Sequence, residues 1–327
     1  MAPKSVRIAL VQKPPVYLNR EASIARGVEE IAAAAESGAK IVVFSECWLP
    51  GYPVWIDEAP GAALWDSPGP KQLYRLLSDN AVTLDGDALA PLAEAAARHE
   101  LCIVMGAHER LGGTLYNTML FFTPDGLAAW HRKLVPTYTE RLLWGRGDGS
   151  TLAGVETPAG RLGGLICWEH WMPLARAAMH ARGEALHVAQ WPTVNDAHLL
   201  ASRHYAFEGR CYVLASGCLL SKSDVLEGFD TLAERPAEAR AVLDSISGEE
   251  DRRLQRGGSC VAGPDGRLLA APVFDEATLV LADLDLDRLA EERMTLDSAG
   301  HYSRPDIFEL RVNTAPQIDV SFGESAG

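Results

Sequence analysis

The chain has 327 residues, 47% of them hydrophobic and 23% charged, enough for one large α/β domain or two smaller ones with a sizeable core. A formal net charge of −14 excludes nucleic acid and anionic membrane surfaces as natural partners. No apolar run approaches a membrane span, and the start MAPKSVRIALVQ has no signal-peptide apolar core, so a cytoplasmic protein is expected.

Ser5 to Gln12 alternates and is rich in β-formers, which predicts a strand. Asn19 reads as an N-cap, with Ile24, Val28 and Ile31 at helical spacing up to Gly38. Ile41 to Phe44 is a wholly apolar strand of the kind buried on both faces, ending at Ser45 and Glu46. The strand–helix–strand rhythm points to an α/β architecture. Cys47 to Pro70, rich in proline, glycine and tryptophan, reads as an ordered binding loop. Helices are predicted over Lys71 to Leu77 and Asp87 to His99, the second with Leu89, Leu92 and Ala96 inward. Leu101 to Ala107, Leu115 to Thr123 and Leu127 to Trp130 read as strands, the last two joined by the turn Pro124-Asp125-Gly126.

A glycine-rich stretch after Lys133 forms a second rim loop; its GRGDGS lacks the lysine of a phosphate loop. Arg161 to Ile166 is an apolar strand stopping abruptly at Cys167, and a helix with proline in its first turn follows over Pro173 to Arg182. Ala185 to Gln190 and Tyr212 to Leu219 are predicted strands flanking a helix over His198 to Arg210. Ser221 to Gly257 is expected as a partly exposed excursion, Ser259 to Ala271 as a hairpin, Thr278 to Leu284 as a strand and Asp287 to Met294 as a short helix. No linker separates two composition regimes, so a single domain over residues 1–310 is expected, with an extended C-terminal arm over 311–327 serving oligomer contact or lying disordered.

The six cysteines, Cys47, Cys102, Cys167, Cys211, Cys218 and Cys260, form no C-x-x-C pair and no disulfide framework. Cys167 with His170 is half of a zinc ligand set, but no second pair has matching spacing, so no metal is expected. Glu46, Lys133 and Cys167 share a position: each follows an apolar strand. A thiol is a strong nucleophile only as thiolate, which a carboxylate base and a nearby ammonium favour. Taken singly, Glu46 reads as a solvated loop charge, Lys133 as a partner for a surface acid and Cys167 as packing. Together they make a nucleophile, a base and an electrostatic or acid partner, since a charge at a buried strand end is costly unless paired. A cysteine–histidine pair like that of thiol proteases is the rival reading, but His170 is too local to partner Cys167 well. Tyr52, Trp168 and Trp191, beside the three strand ends, are candidate pocket walls, and the Trp168 N–H is a candidate donor to developing charge.

FSECWLPGYP, HRKLVPTYTERLLWGRGDGS, GGLICWEHWMPLAR and ASRHYAFEGRCYVL together resemble the motifs of the nitrilase superfamily, its nitrilase branch in particular, and the resemblance runs from the first strand to GHYSRPDIFEL. It implies a four-layer α-β-β-α sandwich and a Glu-Lys-Cys triad on Glu46, Lys133 and Cys167. It also puts a second glutamate at Glu140 and Thr137 near the lysine. The implied activity is hydrolysis of a nitrile to an acid and ammonia through a thioimidate and a thioester, with the nitrile and water as partners and no cofactor; the aromatic pocket walls suit an uncharged nitrile with an apolar or aryl group. It further implies self-association into dimers and spirals of dimers. A cyanide-hydrolysing enzyme and an amidase or carbamoylase remain alternatives on the same scaffold, and a catalytically silent scaffold protein is a more distant one.

Overall fold

In the computed structural model, which describes residues 4–317, the alternation of Ser5–Gln12 (β1) sends Ile8 and Leu10 to one face and Ala9 and Val11 to the other. The same division repeats in Ile41–Phe44 (β2), Cys102–Leu111 (β3) and Thr114–Thr123 (β4). Val43, Val104, Met119 and Phe121 face inward, and Val42, Phe44, Ile103, Met105, Leu120 and Phe122 face outward. Both faces are therefore covered. Helices Arg20–Glu36 (α1) and Ala90–His99 (α2) lie on the outer face through Ile24, Ile31, Leu92, Ala95 and Ala96. Asn19 caps α1 by accepting from the Ala22 N–H.

Gly126–Arg132 (β5) follows β4, and Thr278–Asp285 returns from the C-terminal part of the chain to pair antiparallel with β1, Ser5 opposite Asp285 and Gln12 opposite Thr278. β1, β2 and β3 run parallel, and the two antiparallel steps from β3 to β4 to β5 restore that direction. The carboxyl ends of β2 and β5 therefore lie on one edge of the sheet.

A second sheet is built from Gly154–Thr157 (β6), Gly160–Ile166 (β7), Leu186–Gln190 (β8), Tyr212–Ser216 (β9), Leu219–Ser221 (β10), Arg253–Ala262 (β11) and Leu268–Phe274 (β12), with β7, β8 and β9 parallel. Pro173–Ala181 (α3) and Asp196–Gly209 (α4) pack on it through Ala175, Met179, Tyr205 and Ala206. The sheets meet across a continuous apolar core, so the expected α-β-β-α sandwich is the observed fold.

Ser221 to Gly257 departs from its expectation. Two helices, Lys222–Asp230 and Ala237–Asp244, bury Val225, Phe229, Ala239 and Leu243, with Ile246 just after them, against Pro68–Asp79 and the loop carrying Tyr52 and Trp55. That third cluster turns the loop after β2 into a rigid wall of the site. Residues 311–317 are exposed, and Gln317 donates its N–H to Asp148; residues 318–327 of the expected arm lie outside the described residues. Among the described residues, no helix is long and apolar enough to cross a membrane.

Candidate active site

The three strand ends converge. Glu46 is the second residue after β2, Lys133 the first after β5 and Cys167 the first after β7. Lys133 Nζ donates to Glu46 Oε1 at 2.8 Å and to Glu140 Oε1 and Oε2 at 2.9 and 2.7 Å. Ligating atoms of Glu46, Glu140 and Cys167 lie within 4.8 Å of one another. The lysine side chain is 0% exposed, so its charge is compensated entirely by these neighbours. Three potential metal-ligand groups thus meet, but an ammonium already bridges the two carboxylates, and a second cation would face like charge.

Glu46 Oε1 also accepts from Asn117 Nδ2 at 2.7 Å, whereas Oε2 has no hydrogen-bond partner among the described residues. One carboxylate oxygen is fixed and the other is left for a proton. Burial, chiefly, and the charge of Glu140 raise the Glu46 pKa against the pull of Lys133, to about 7, where a general base works best. Burial also raises the Cys167 thiol, and the Glu46 carboxylate adds to this, so the resting group is a neutral thiol. Burial disfavours the Lys133 ammonium, but the carboxylates of Glu46 and Glu140 outweigh that and keep it protonated.

Glu140 sits on a 3₁₀ turn, Tyr138–Leu142, where its Oε2 accepts the Thr137 N–H at 2.6 Å and its Oε1 the Tyr52 hydroxyl at 2.9 Å. Tyr52 and Thr137 thus meet the site through Glu140. Cys47, Tyr138 and Cys167, one on each contributing loop, all adopt left-handed backbone with φ between 45 and 55°. Such strain persists only where surrounding structure imposes it, and it gathers at functional sites.

Trp168 is 55% exposed, packs edge-on against Trp171, and with Val135, Pro136, Thr137, Tyr138, Arg141 and Met172 lines a groove of about 690 Å³. Trp191, expected as a pocket wall, lies in the core instead. Its ring stacks on His198 and packs on His170 and Trp171, and its Nε1–H reaches Ser202, which leaves no face for a ligand. Its part in the site is a backbone one, its carbonyl accepting the Glu46 N–H at 3.4 Å.

Three contributors were not singled out in the sequence. Asn117 is a lone amide inside the apolar run of β4, and that misfit was its available signal. Glu169 accepts from the Ile166 N–H at 2.6 Å, the Leu134 N–H at 2.7 Å and His131 Nε2 at 3.0 Å, so it clamps the turn of Cys167 to the strand end of Lys133. His131 also meets the Thr151 carbonyl through Nδ1, so both ring nitrogens carry hydrogen. Although burial opposes both charges, the Glu169 carboxylate raises the His131 pKa and the imidazolium lowers that of Glu169.

The sequence pattern of the carbon-nitrogen hydrolase family matches residues 7–294. The chain belongs to this family. It is 40% identical over 316 residues to an aliphatic nitrilase of Sinorhizobium fredii (strain HH103), covering 96% of this chain and 97% of that one. It is 38% identical over 320 residues to Nitrilase 2 of Arabidopsis thaliana, covering 97% and 91%. These relatives put this carbon-nitrogen hydrolase in the nitrilase branch. A carbon-nitrogen hydrolase from Helicobacter pylori G27 shares its fold, with a TM-score of 0.69 at 18% identity over 92% of this chain and 96% of that one.

Proposed function

We propose that this hydrolase is a nitrilase that converts an uncharged organic nitrile and two waters into a carboxylic acid and ammonia. The observation that carries this is the buried Glu46–Lys133–Glu140 cluster closing on Cys167, with one Glu46 oxygen left free. The nitrilases among its relatives support the same activity.

As the nitrile carbon approaches, Glu46 takes the Cys167 proton and sulfur bonds to carbon. Lys133 passes a hydrogen to the nitrogen and recovers one from Glu46, giving a thioimidate. Glu46, then carboxylate again, deprotonates a water positioned with the help of Glu140. That water adds to the carbon, its two hydrogens pass by way of Glu46 and Lys133 to the nitrogen, the C–N bond breaks and ammonia departs, leaving a thioester. A second water cleaves the thioester and returns the proton to sulfur. Lys133, held by two carboxylates, needs no reorganisation to meet charge developing on nitrogen.

The apolar lining of the groove supports an aryl or alkyl nitrile, with Trp168 and Thr137 in contact with it and Tyr52 acting through Glu140. The six unpaired, buried thiols support a cytoplasmic setting. Exposed Leu174, Leu200 and Phe207 on α3 and α4, with Tyr302, Phe308 and Leu310 after them, support a homo-oligomer built from one catalytic unit over residues 1–310, with residues 311–327 in a contact role.

The test is a panel of aryl, arylacetyl and aliphatic nitriles, matched amides and cyanide, with acid and ammonia measured. Acid and ammonia from nitriles are expected. Turnover confined to amides or to cyanide would overturn the assignment. Cys167→Ala should lose about 10⁴-fold or more in kcat, as nucleophile deletions do, with circular dichroism unchanged.

A further inference from the structure

His170 is three residues beyond Cys167 and buried, yet the proton transfers above do not use it. Its Nδ1 lies 2.7 Å from the Cys167 carbonyl, and a carbonyl only accepts, so Nδ1 carries the hydrogen. Its Nε2 faces His187 Nε2 at 3.1 Å. His187 Nδ1 meets Glu184 at 2.9 Å, and Glu184 also accepts the Tyr205 hydroxyl at 2.6 Å. Every member of this chain is buried, His170 in the turn after β7, Glu184 before β8, His187 on β8 and Tyr205 on α4.

The hydrogens can be counted. Nδ1–H of His170 goes to the carbonyl and Nδ1–H of His187 to the Glu184 carboxylate. One further hydrogen must separate the two Nε2 atoms, which would otherwise oppose lone pairs. Burial, then the neighbouring His187, pushes the His170 pKa well down, so His170 does not take that hydrogen. His170 is thereby held neutral, in the single tautomer that donates to Cys167.

The Cys167 carbonyl belongs to the same rigid peptide plane as the Trp168 N–H, and in a trans peptide the two point in opposite directions. Holding the carbonyl on the core side therefore aims the Trp168 N–H the other way, out of the core. That N–H opens a 3₁₀ turn and has no acceptor further back in it. Cys167 itself has φ +55°, a backbone state a non-glycine residue keeps only under constraint.

We propose that His170 is a positioning residue for the reaction: it locks the Cys167–Trp168 peptide plane so that the Trp168 N–H is aimed at developing charge, and the Glu184–His187 pair holds His170 in the donating tautomer. The inference rests on the reading of Cys167 as the nucleophile. It differs from the thiol-protease arrangement in that His170 touches the backbone of the cysteine and not its sulfur.

The experiment compares His170→Asn, whose amide places an N–H close to the Nδ1 position, with His170→Leu, which has nearly the same shape and no donor. H170N should keep kcat within about 5-fold of the native enzyme. H170L should lose about 30-fold or more in kcat with KM within about 2-fold, because a transition-state donor is misdirected while ground-state binding remains. Native kcat in H170L, equal losses in both variants, or a collapse of kcat in folded H170N would each overturn the proposal. If H170L does not fold, His170→Phe, which keeps a planar ring between Trp191 and Tyr205, takes its place with the same expectation. Cys167→Ala run alongside separates the two claims. Turnover in C167A removes the nucleophile assignment itself, whereas an inactive C167A beside a fully active H170L removes only the role of His170.

Discussion

At Glu46 two demands conflict. In its proposed role as base the carboxylate must be ionised to accept the thiol proton, yet burial raises its pKa from the ordinary 4.5 to about 7. kcat/KM should therefore fall with unit slope as pH drops below about 7, because the protonated acid cannot act as base. A flat profile between pH 5 and 8 would exclude Glu46 from that role. Stability runs the opposite way for this group. Between about pH 4.5 and 7 the folded state holds a proton that the unfolded state has lost, so this group's contribution to stability declines as pH rises through that window. Glu46→Gln should be inactive and lack that declining component, which chemical denaturation at pH 5 and pH 8 measures. Glu46, Lys133 and Cys167 were legible in the sequence because an ionisable group at the end of an apolar run is out of place there. Glu140 was not legible from its surroundings, since it lies in a polar loop like any solvated acid, and only family resemblance marked it. Glu169 and Asn117 escaped notice because their work is to accept or donate bonds from elements far away in sequence.

The loop after β2 carries Glu46 past β3, and the approach is so close that only glycine fits. A Cβ on Gly106 would collide with the Ser45 carbonyl and the Cys47 N–H. Leu49 then pairs with β3, its N–H donating to the Gly106 carbonyl at 2.9 Å and its carbonyl accepting the His108 N–H at 2.9 Å. Gly106→Ala must push the Glu46 turn outward, costing about 1–3 kcal/mol as overpacking does. It should also lower kcat by about 100-fold, since small displacements of a reacting group are costly. Gly113→Ala, in the β3–β4 turn with open space around the added methyl, is the control and should change neither quantity. Native activity in G106A would mean that the loop is not held as tightly as the packing implies. The strands β1 and β2 were readable to the residue because alternation and apolar runs are local signals. The two helices within Ser221 to Gly257 were missed although Ser221 and Asp224 form a capping box there. Their apolar residues stand among many charges, and the surface they cover comes from residues far earlier in the sequence, Gln72 meeting Ala239 across 167 positions.

The site needs both sheets, since Glu46 and Lys133 come from one and Cys167 from the other, so its geometry depends on how the sandwich closes. Closure rests partly on the last strand, Thr278–Asp285, which crosses the whole sequence to cover β1. No local pattern could have foretold that partner, because strand order is set by which edges remain unpaired once the parallel units have formed. The chain after it has a different standing. Residues 311–317 are exposed and meet the body through the Gln317 N–H bond to Asp148 and the contact of Asn313 with Gly149. A single hydrogen bond of this kind contributes about 1 kcal/mol. Truncation after Leu310 should therefore lower Tm by no more than about 4 °C in the monomeric unit and keep turnover per site, while light scattering reports a smaller assembly. Truncation after Ala277 also removes the strand on β1, leaving Ile8 and Leu10 beside an unpaired edge, and should give no soluble folded protein. If the shorter truncation unfolds the chain, residues 311–327 belong to the catalytic unit. If the longer one stays folded and active, the sandwich closes without its C-terminal strand.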